Sequence, residues 1–462
     1  MDATGKVESG RDVASQRPGQ RIITPAFCRE ETKSSAAHPS GIGGLRGFAC
    51  GNCGRIQSRR GKRLPGHAPM KISFLCFDIS DNSFARAALL AGALAKHHDV
   101  ELIGPARQGG VWPPLADIRL PVKLFPWRRY PGFLATAGDI LKAADGDLIF
   151  ACKLRPTSFG LGLLKNRRVP LLVDIDDWEL GFFYRRGFWS RLGKFLNLSN
   201  PNGLPYTWLM ERLVARADGV TVSNRFLQNR FGGELLYHCR DTAALDPDKF
   251  DPSAVKRKLG LEHKKLVMFL GTPRAHKGID DAVRAMERVR HPDVQLVLVG
   301  SPPGRGGLPG RGGLPGRGGL PGRADPVLAG AGENVTVLPA VPFAELGDYL
   351  AAADVVLIPQ RRTSDTAGQM PAKLFDAMAM AKPVISTRVS DIPEVLQDCG
   401  YLVEPGNVPQ LAAAIDHAFS HADEARGLGQ KARQKCRKLY DIRVLEEKLL
   451  ALVRRATGKG PD

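Results

Sequence analysis

This chain of 462 residues contains no run of eighteen apolar residues, which excludes a membrane-spanning helix of ordinary length. Its opening, MDATGKVESG, places charges where a secretory signal would need an apolar core, so a cytoplasmic protein is expected. Cysteine is sparse, with eight in all and one close pair, Cys50 and Cys53. His67 is the single histidine between that pair and the first apolar strand, which makes half a zinc site, so no metal centre is expected. The remaining cysteines are scattered through apolar or helical segments and suit reduced thiols used as small hydrophobes. Acidic residues are also short, 47 against 66 Lys and Arg, for a net charge of +19. That excess is uneven. Residues 1–69 hold 12 Lys and Arg against 5 Asp and Glu, and Arg305, Arg311, Arg317 and Arg323 add four more cations. The rest is only moderately basic, enough to favour an anionic substrate or membrane surface, and no nucleic-acid partner is expected.

What is present is a globular composition, 43% hydrophobic and 24% charged, long enough for two or three domains. Residues 1–69 are rich in Ser, Arg and Gly without an apolar period and read as a disordered extension. From Met70 apolar runs alternate with helical patterns, as in a doubly wound parallel sheet. Strands are expected at Lys71–Phe77, Val100–Ile103, Leu148–Ala151, Leu171–Ile175 and Val220–Ser223. After a Pro- and Gly-containing break at Leu245–Glu262 the pattern restarts, with strands at Leu266–Leu270, Val294–Val299, Val335–Leu338, Val355–Ile358 and Val384–Ile385. The expected fold class is therefore α/β. It divides into a domain over 70–245, a second over 246–440, and a C-terminal helix and tail over 441–462. Within the second, 304–323 carries three copies of RGGLPG at a Gly-X-Y period. It is too short for a triple helix and lacks an aromatic residue for base stacking, so it reads as a flexible surface loop.

Two segments carry chemistry. Lys265 to Lys277, KLVMFLGTPRAHK, is a buried strand, a glycine turn and two cations, Arg274 and Lys277, placed just before an amphipathic helix. Ligands of open parallel sheets bind beyond the carboxyl ends of the strands, and a helix N-terminus there favours an anion. Met370 to Ser386, MPAKLFDAMAMAKPVIS, is a loop, a helix with Pro371 at its first position, and a strand, with Lys373 and Asp376 sharing one face of the first turn. Both point to a phosphorylated ligand. In the first domain Asp174, Asp176 and Asp177 end a strand, where they either face the interdomain cleft or cap the following turn. The aromatic and basic residues of 182–195 suit an anionic membrane surface or a lid over the ligand.

In this order GTPRAHKGID (271–280), VQLVLVG (294–300), AADVVLIP (352–359) and PAKLFDAMAMAKPVIS followed by SDIPEV resemble the retaining, nucleotide-sugar-using family 4 glycosyltransferases. The resemblance implies the GT-B architecture, two Rossmann-like domains whose parallel sheets face an interdomain cleft. It further implies transfer of a sugar from a nucleoside diphosphate donor to a glycan or lipid-linked acceptor, with no metal or other cofactor. Lys277 and Arg274 match the family's basic pair, which neutralises the departing diphosphate. Asp376, Lys373, Gly271 and Gly300 fall at donor-binding positions. Of the family's Glu-x7-Glu motif, Asp376 holds the second place and Gly368 the first, which leaves two alternatives: a carboxylate supplied to the transferred sugar by Asp365 on a shifted loop, or none at that place. Asp174, Asp176 and Asp177 are expected on the acceptor side, and peripheral contact with the inner face of a membrane through 182–195.

Overall fold

In a computed structural model the described residues are 69–166, 168–184, 193–301 and 332–458. Most of the N-terminal extension with Cys50 and Cys53, the RGGLPG repeat, and residues 185–192 of the aromatic-basic stretch lie outside the described residues. The expected α/β class is found. A first sheet runs in the order β3-β2-β1-β4-β5-β6-β7, all parallel: β1 (Lys71–Leu75), β2 (Asp99–Ala106), β3 (Val122–Pro126), β4 (Leu148–Cys152), β5 (Leu171–Ile175), β6 (Gly219–Val222) and β7 (Glu234–Leu235). A second, also parallel, runs β10-β9-β8-β11-β12-β13, from β8 (Lys265–Leu270), β9 (Val294–Ser301), β10 (Val335–Pro339), β11 (Val355–Ile358), β12 (Val384–Thr387) and β13 (Tyr401–Val403). In both, the strand order reverses beside the half's own first strand, between β1 and β4 and between β8 and β11. Those reversals open crevices at the carboxyl ends of the strands.

The strands form as continuous apolar runs because helices cover both faces of each sheet. In β8, Leu266 and Met268 enter one cluster and Val267 and Phe269 another, as the two-residue alternation of a strand requires. The first of these clusters also holds Ile72 and Phe74 of β1, so one core runs through both halves. Phe74 stacks on Phe150 with ring centroids 4.8 Å apart, and each such fully buried side chain contributes roughly 1.5–3 kcal/mol.

Strands β3, β7 and β13 were not expected. All three are edge strands, short or half-buried, and so carry little apolar signal. The helix Ala422–Leu439 was also not expected, because its sequence is mostly charged or polar and buries only Ala425, Gly429, Ala432 and Cys436. Those small residues allow a close approach: a Cβ at Gly429 would stand 2.2 Å from the Ala381 carbonyl oxygen. The last helix, Ile442–Ala456, crosses back to pack on the first-half helix Phe84–Leu94. At the crossing, Arg240 pairs with Asp441 as an isolated bridge. Among the described residues no helix is long and apolar enough to cross a membrane.

Candidate active site

A cavity of about 660 Å³ lies between the carboxyl ends of the two sheets and is lined by both halves. On the second-half wall, β8 ends at Leu270 and the chain turns at Gly271, whose φ of 123° excludes a side chain at low cost. Gly300, also at φ 123°, follows the same rule at the end of β9: its Cβ would stand 2.6 Å from the Gly271 carbonyl carbon. Lys277 closes a tight turn over Ala275–Lys277 and is followed by Gly278 in the left-handed region, from which the helix Ile279–Met286 departs. Lys373 rises from the first turn of the helix Ala372–Ala379, where Pro371 holds the capping position rather than the expected first helical one.

The two lysines converge. A Cβ placed on Gly271 would lie 2.9 Å from the Nζ of Lys373 and 3.9 Å from that of Lys277. Lys277 donates to the Thr272 carbonyl at 3.0 Å. Lys373 Nζ is shielded from solvent and has no hydrogen-bond partner among the described residues, resting 3.7 Å from the centre of the Phe269 ring. Burial, aided by the Arg274 charge, pushes Lys277 down to about 8. Burial and the neighbouring Lys277 hold Lys373 well below the usual lysine range. Two shielded amines beside a bare glycine turn form a site that an anion would complete.

Asp376 lines the same cavity and is paired with the guanidinium of Arg240, which also donates to the Ala372 carbonyl at 3.3 Å. His238, two residues earlier, is a further lining group, and burial holds its imidazole neutral well below the ordinary histidine range. On the first-half wall Lys153 is buried with its backbone at φ 76°, and its ammonium sits among three carboxylates: Asp176 at 2.8 Å, Asp177 at 2.6 Å and Glu179 at 3.1 Å. Those three acids are grouped as a metal's ligands could be. The lysine nitrogen, within ion-pair distance of every one, already supplies the compensating cation. Burial raises Asp176 to about 7 against the pull of Lys153.

Lys277, Lys373, Asp376, Gly271, Gly300, Asp176 and Asp177 are thus brought together. Three expected residues are not. Arg274 is exposed and outside the lining, and it reaches the site only through its field on Lys277. Asp365 is buried at the start of the helix Ser364–Ala367, where it accepts from the Thr363 hydroxyl and faces His276 Nδ1 at 3.4 Å, so it supplies no carboxylate to the cleft. Asp174 does not face the cleft either. It is fully buried, receives Nε and Nη2 of Arg86 at 3.1 and 2.9 Å and the Thr221 hydroxyl at 2.7 Å, and joins β5 to the helix Phe84–Leu94. Gly368, for its part, is a place where no side chain fits: a Cβ there would stand 2.3 Å from the Cβ of Trp178. Arg240, His238 and Lys153 were missed. Lys153 ends a buried strand just as Lys277 follows one, and the same strand-end rule would have found it. Arg240 and His238 sit in irregular chain after β7, where no local pattern marks them.

Residues 264–421 match the family described as glycosyl transferases group 1. Among curated relatives, the N-acetyl-alpha-D-glucosaminyl L-malate synthase of Bacillus anthracis is 30% identical over 383 residues, covering 79% of this chain and 91% of that protein. The D-inositol 3-phosphate glycosyltransferase of Segniliparus rotundus is 28% identical over 239 residues, 48% of this chain and 50% of its own length, so the match spans about half of that relative. Of solved structures, Anabaena Alr3699/HepE in complex with UDP-glucose superposes with a TM-score of 0.64 at 17% identity, over 83% of this chain and 99% of that one. The sucrose-phosphate synthase of Thermosynechococcus elongatus gives 0.64 at 18%, over 85% and 100%. At such identities these likenesses establish the fold, two Rossmann-like domains in the GT-B arrangement. With a relative matched along most of both lengths and a cleft built where that fold binds ligand, this chain belongs to the glycosyl transferases group 1 family.

Proposed function

We propose that the protein transfers a sugar, with retention of anomeric configuration and without a metal, from a nucleoside diphosphate donor to a hydroxyl of a glycan or lipid-linked acceptor. The observation that carries this reading is the convergence of Lys277 and Lys373 on Gly271, with the Nζ of Lys373 left without a hydrogen-bond partner among the described residues. As the glycosidic bond breaks, negative charge grows on the diphosphate, and cations already fixed there favour the transition state over the ground state. Asp376, held by Arg240, supports this reading as an acceptor for ribose hydroxyls. The apolar part of the cleft, with Val341 and Leu346 among its lining, suits the uncharged base. Asp176 and the neutral His238 stand on the opposite wall as acceptors for an incoming hydroxyl. The names of two relatives, which carry L-malate and D-inositol 3-phosphate, support an acceptor that offers a free hydroxyl.

The test is a thermal-shift screen against UDP-, GDP-, ADP- and TDP-sugars, and then a turnover assay with the sugar that binds. A ligand of the native state raises the melting temperature by mass action. At least one sugar nucleotide is expected to do so in the native chain and none in Lys277→Ala. No shift with any of them overturns the reading. A shift without turnover or donor hydrolysis would instead identify a non-catalytic binding protein, the alternative that Gly368 favours.

A further inference from the structure

A sugar attached to a diphosphate at Lys277 and Lys373 needs partners other than those cations. It is uncharged and rich in hydroxyls, and carboxylates and carboxamides orient such groups. Asp177 has that chemistry in the right place. It lines the cleft, and its negative field reaches Lys277. Its Oδ2 accepts from Lys153 Nζ at 2.6 Å and its Oδ1 from Gln369 Nε2 at 3.1 Å, one partner from each half. With 19% of the side chain exposed, each oxygen retains capacity for a further hydrogen bond toward the cavity. The unpartnered Nζ of Lys373 in the same cavity is independent evidence that a ligand completes it.

Gly368 is the reason Asp177 comes so near. The Trp178 amide donates to the Gly368 carbonyl at 3.1 Å, and Asp177 and Gln369 form an antiparallel bridge. Any side chain at 368 would collide with Trp178 and draw Gln369 off Asp177. We propose that Asp177, oriented by Lys153 and Gln369, binds and selects the sugar of the donor, in place of any side chain at position 368. The specificity element is therefore shared between the halves and assembled only when they dock through Gly368. This inference rests on the reading of the cleft as a sugar-nucleotide site.

Calorimetric titration of the full chain with each of the four diphosphates and the matching sugar nucleotides separates the two. In Asp177→Asn the diphosphate Kd is expected to stay within about twofold of wild type while the sugar nucleotide weakens about tenfold or more, the usual loss for a charged hydrogen bond. Gln369→Ala leaves the Lys153 ion pairs intact and is expected to show the same pattern at about threefold, which keeps the test open should the first variant not fold. Diphosphate binding with unchanged sugar discrimination in both variants overturns the assignment of Asp177 alone. Absence of any diphosphate binding in wild type overturns the underlying reading and the inference with it.

Discussion

At the scale of single residues, the two lysines at Gly271 set function against stability. Lys373 is shielded and unpartnered among the described residues, and a buried polar group in that state costs about 1–3 kcal/mol, more when charged. Lys373→Met is expected to raise the melting temperature while weakening diphosphate binding at least about tenfold; scanning calorimetry and titration on one preparation would check both. The depressed amines also fix the sign of a pH effect. Lys277, near 8, loses its proton as pH rises through that value, and under the proposed function a bound diphosphate is expected to restore it. Diphosphate affinity should fall above pH 8, by up to about tenfold per pH unit for each proton required. Binding at that pH should take up protons, measurable as a heat that depends on the ionisation enthalpy of the buffer. For the empty protein the sign is opposite: the unfolded chain holds the lysine proton more tightly, so this group's penalty on stability fades as pH rises above 8.

Individual elements matter here for where they end. β8 ends just before Gly271, β9 just after Gly300 and β5 just before Asp176 and Asp177, and close contacts at Gly271, Gly300 and Gly368 leave no room for a side chain beside those ends. The segment 368–370 touches the end of β5 through Trp178 and is the tightest of these joints. Gly368→Ala should destabilise the protein by about 1–3 kcal/mol, the usual cost of overpacking, and should weaken sugar nucleotides more than diphosphates. Chemical denaturation and titration would reveal it; a neutral substitution would mean that the two halves do not meet there in solution. Gly278 illustrates the same economy at a helix start, since a Cβ there would stand 1.7 Å from the Pro359 carbonyl oxygen. A turn between cation and helix this close to β11 admits only glycine.

Across the whole molecule, the two halves are joined by more than the linker. The terminal helix Ile442–Ala456 buries Leu445, Leu449, Leu452 and Val453, and its Glu446 takes both Lys96 and His97 of the first half at 2.6 Å. Arg225 and Tyr237 of the first half bond Asp391 of the second, each at 2.8 Å. The insertion carrying the RGGLPG copies, by contrast, joins β9 to β10, which are already paired in register from Val335 with Leu296 to Leu338 with Val299. Deleting 305–322 should leave donor affinity within about twofold and the melting temperature nearly unchanged, because loop length enters stability only logarithmically. A large loss on deletion would show that the repeat contributes to the fold or the site.

Local sequence determined the parallel strands, because apolar runs such as KLVMFL and LLVDI can be satisfied only in a sheet buried on both faces. It also determined the cations beyond strand ends, because a strand–turn–helix places them where an anion binds. Lys277, Lys373 and Asp376 were legible for that reason. The acids were different. Asp174, Asp176 and Asp177 are near-identical in sequence context, yet Asp174 lies within β5 and is turned inward to Arg86, whereas Asp176 and Asp177 follow the end of the strand and line the cleft. Arg240, Lys153 and Gln369 gain their roles from partners 136, 24 and 192 positions away. Pairings at that separation leave no mark on local periodicity or spacing. They exist only once two sheets and a crossing segment have been packed together, so the cations beyond the strand ends belong to the sequence and their neutralising and orienting partners to the tertiary structure.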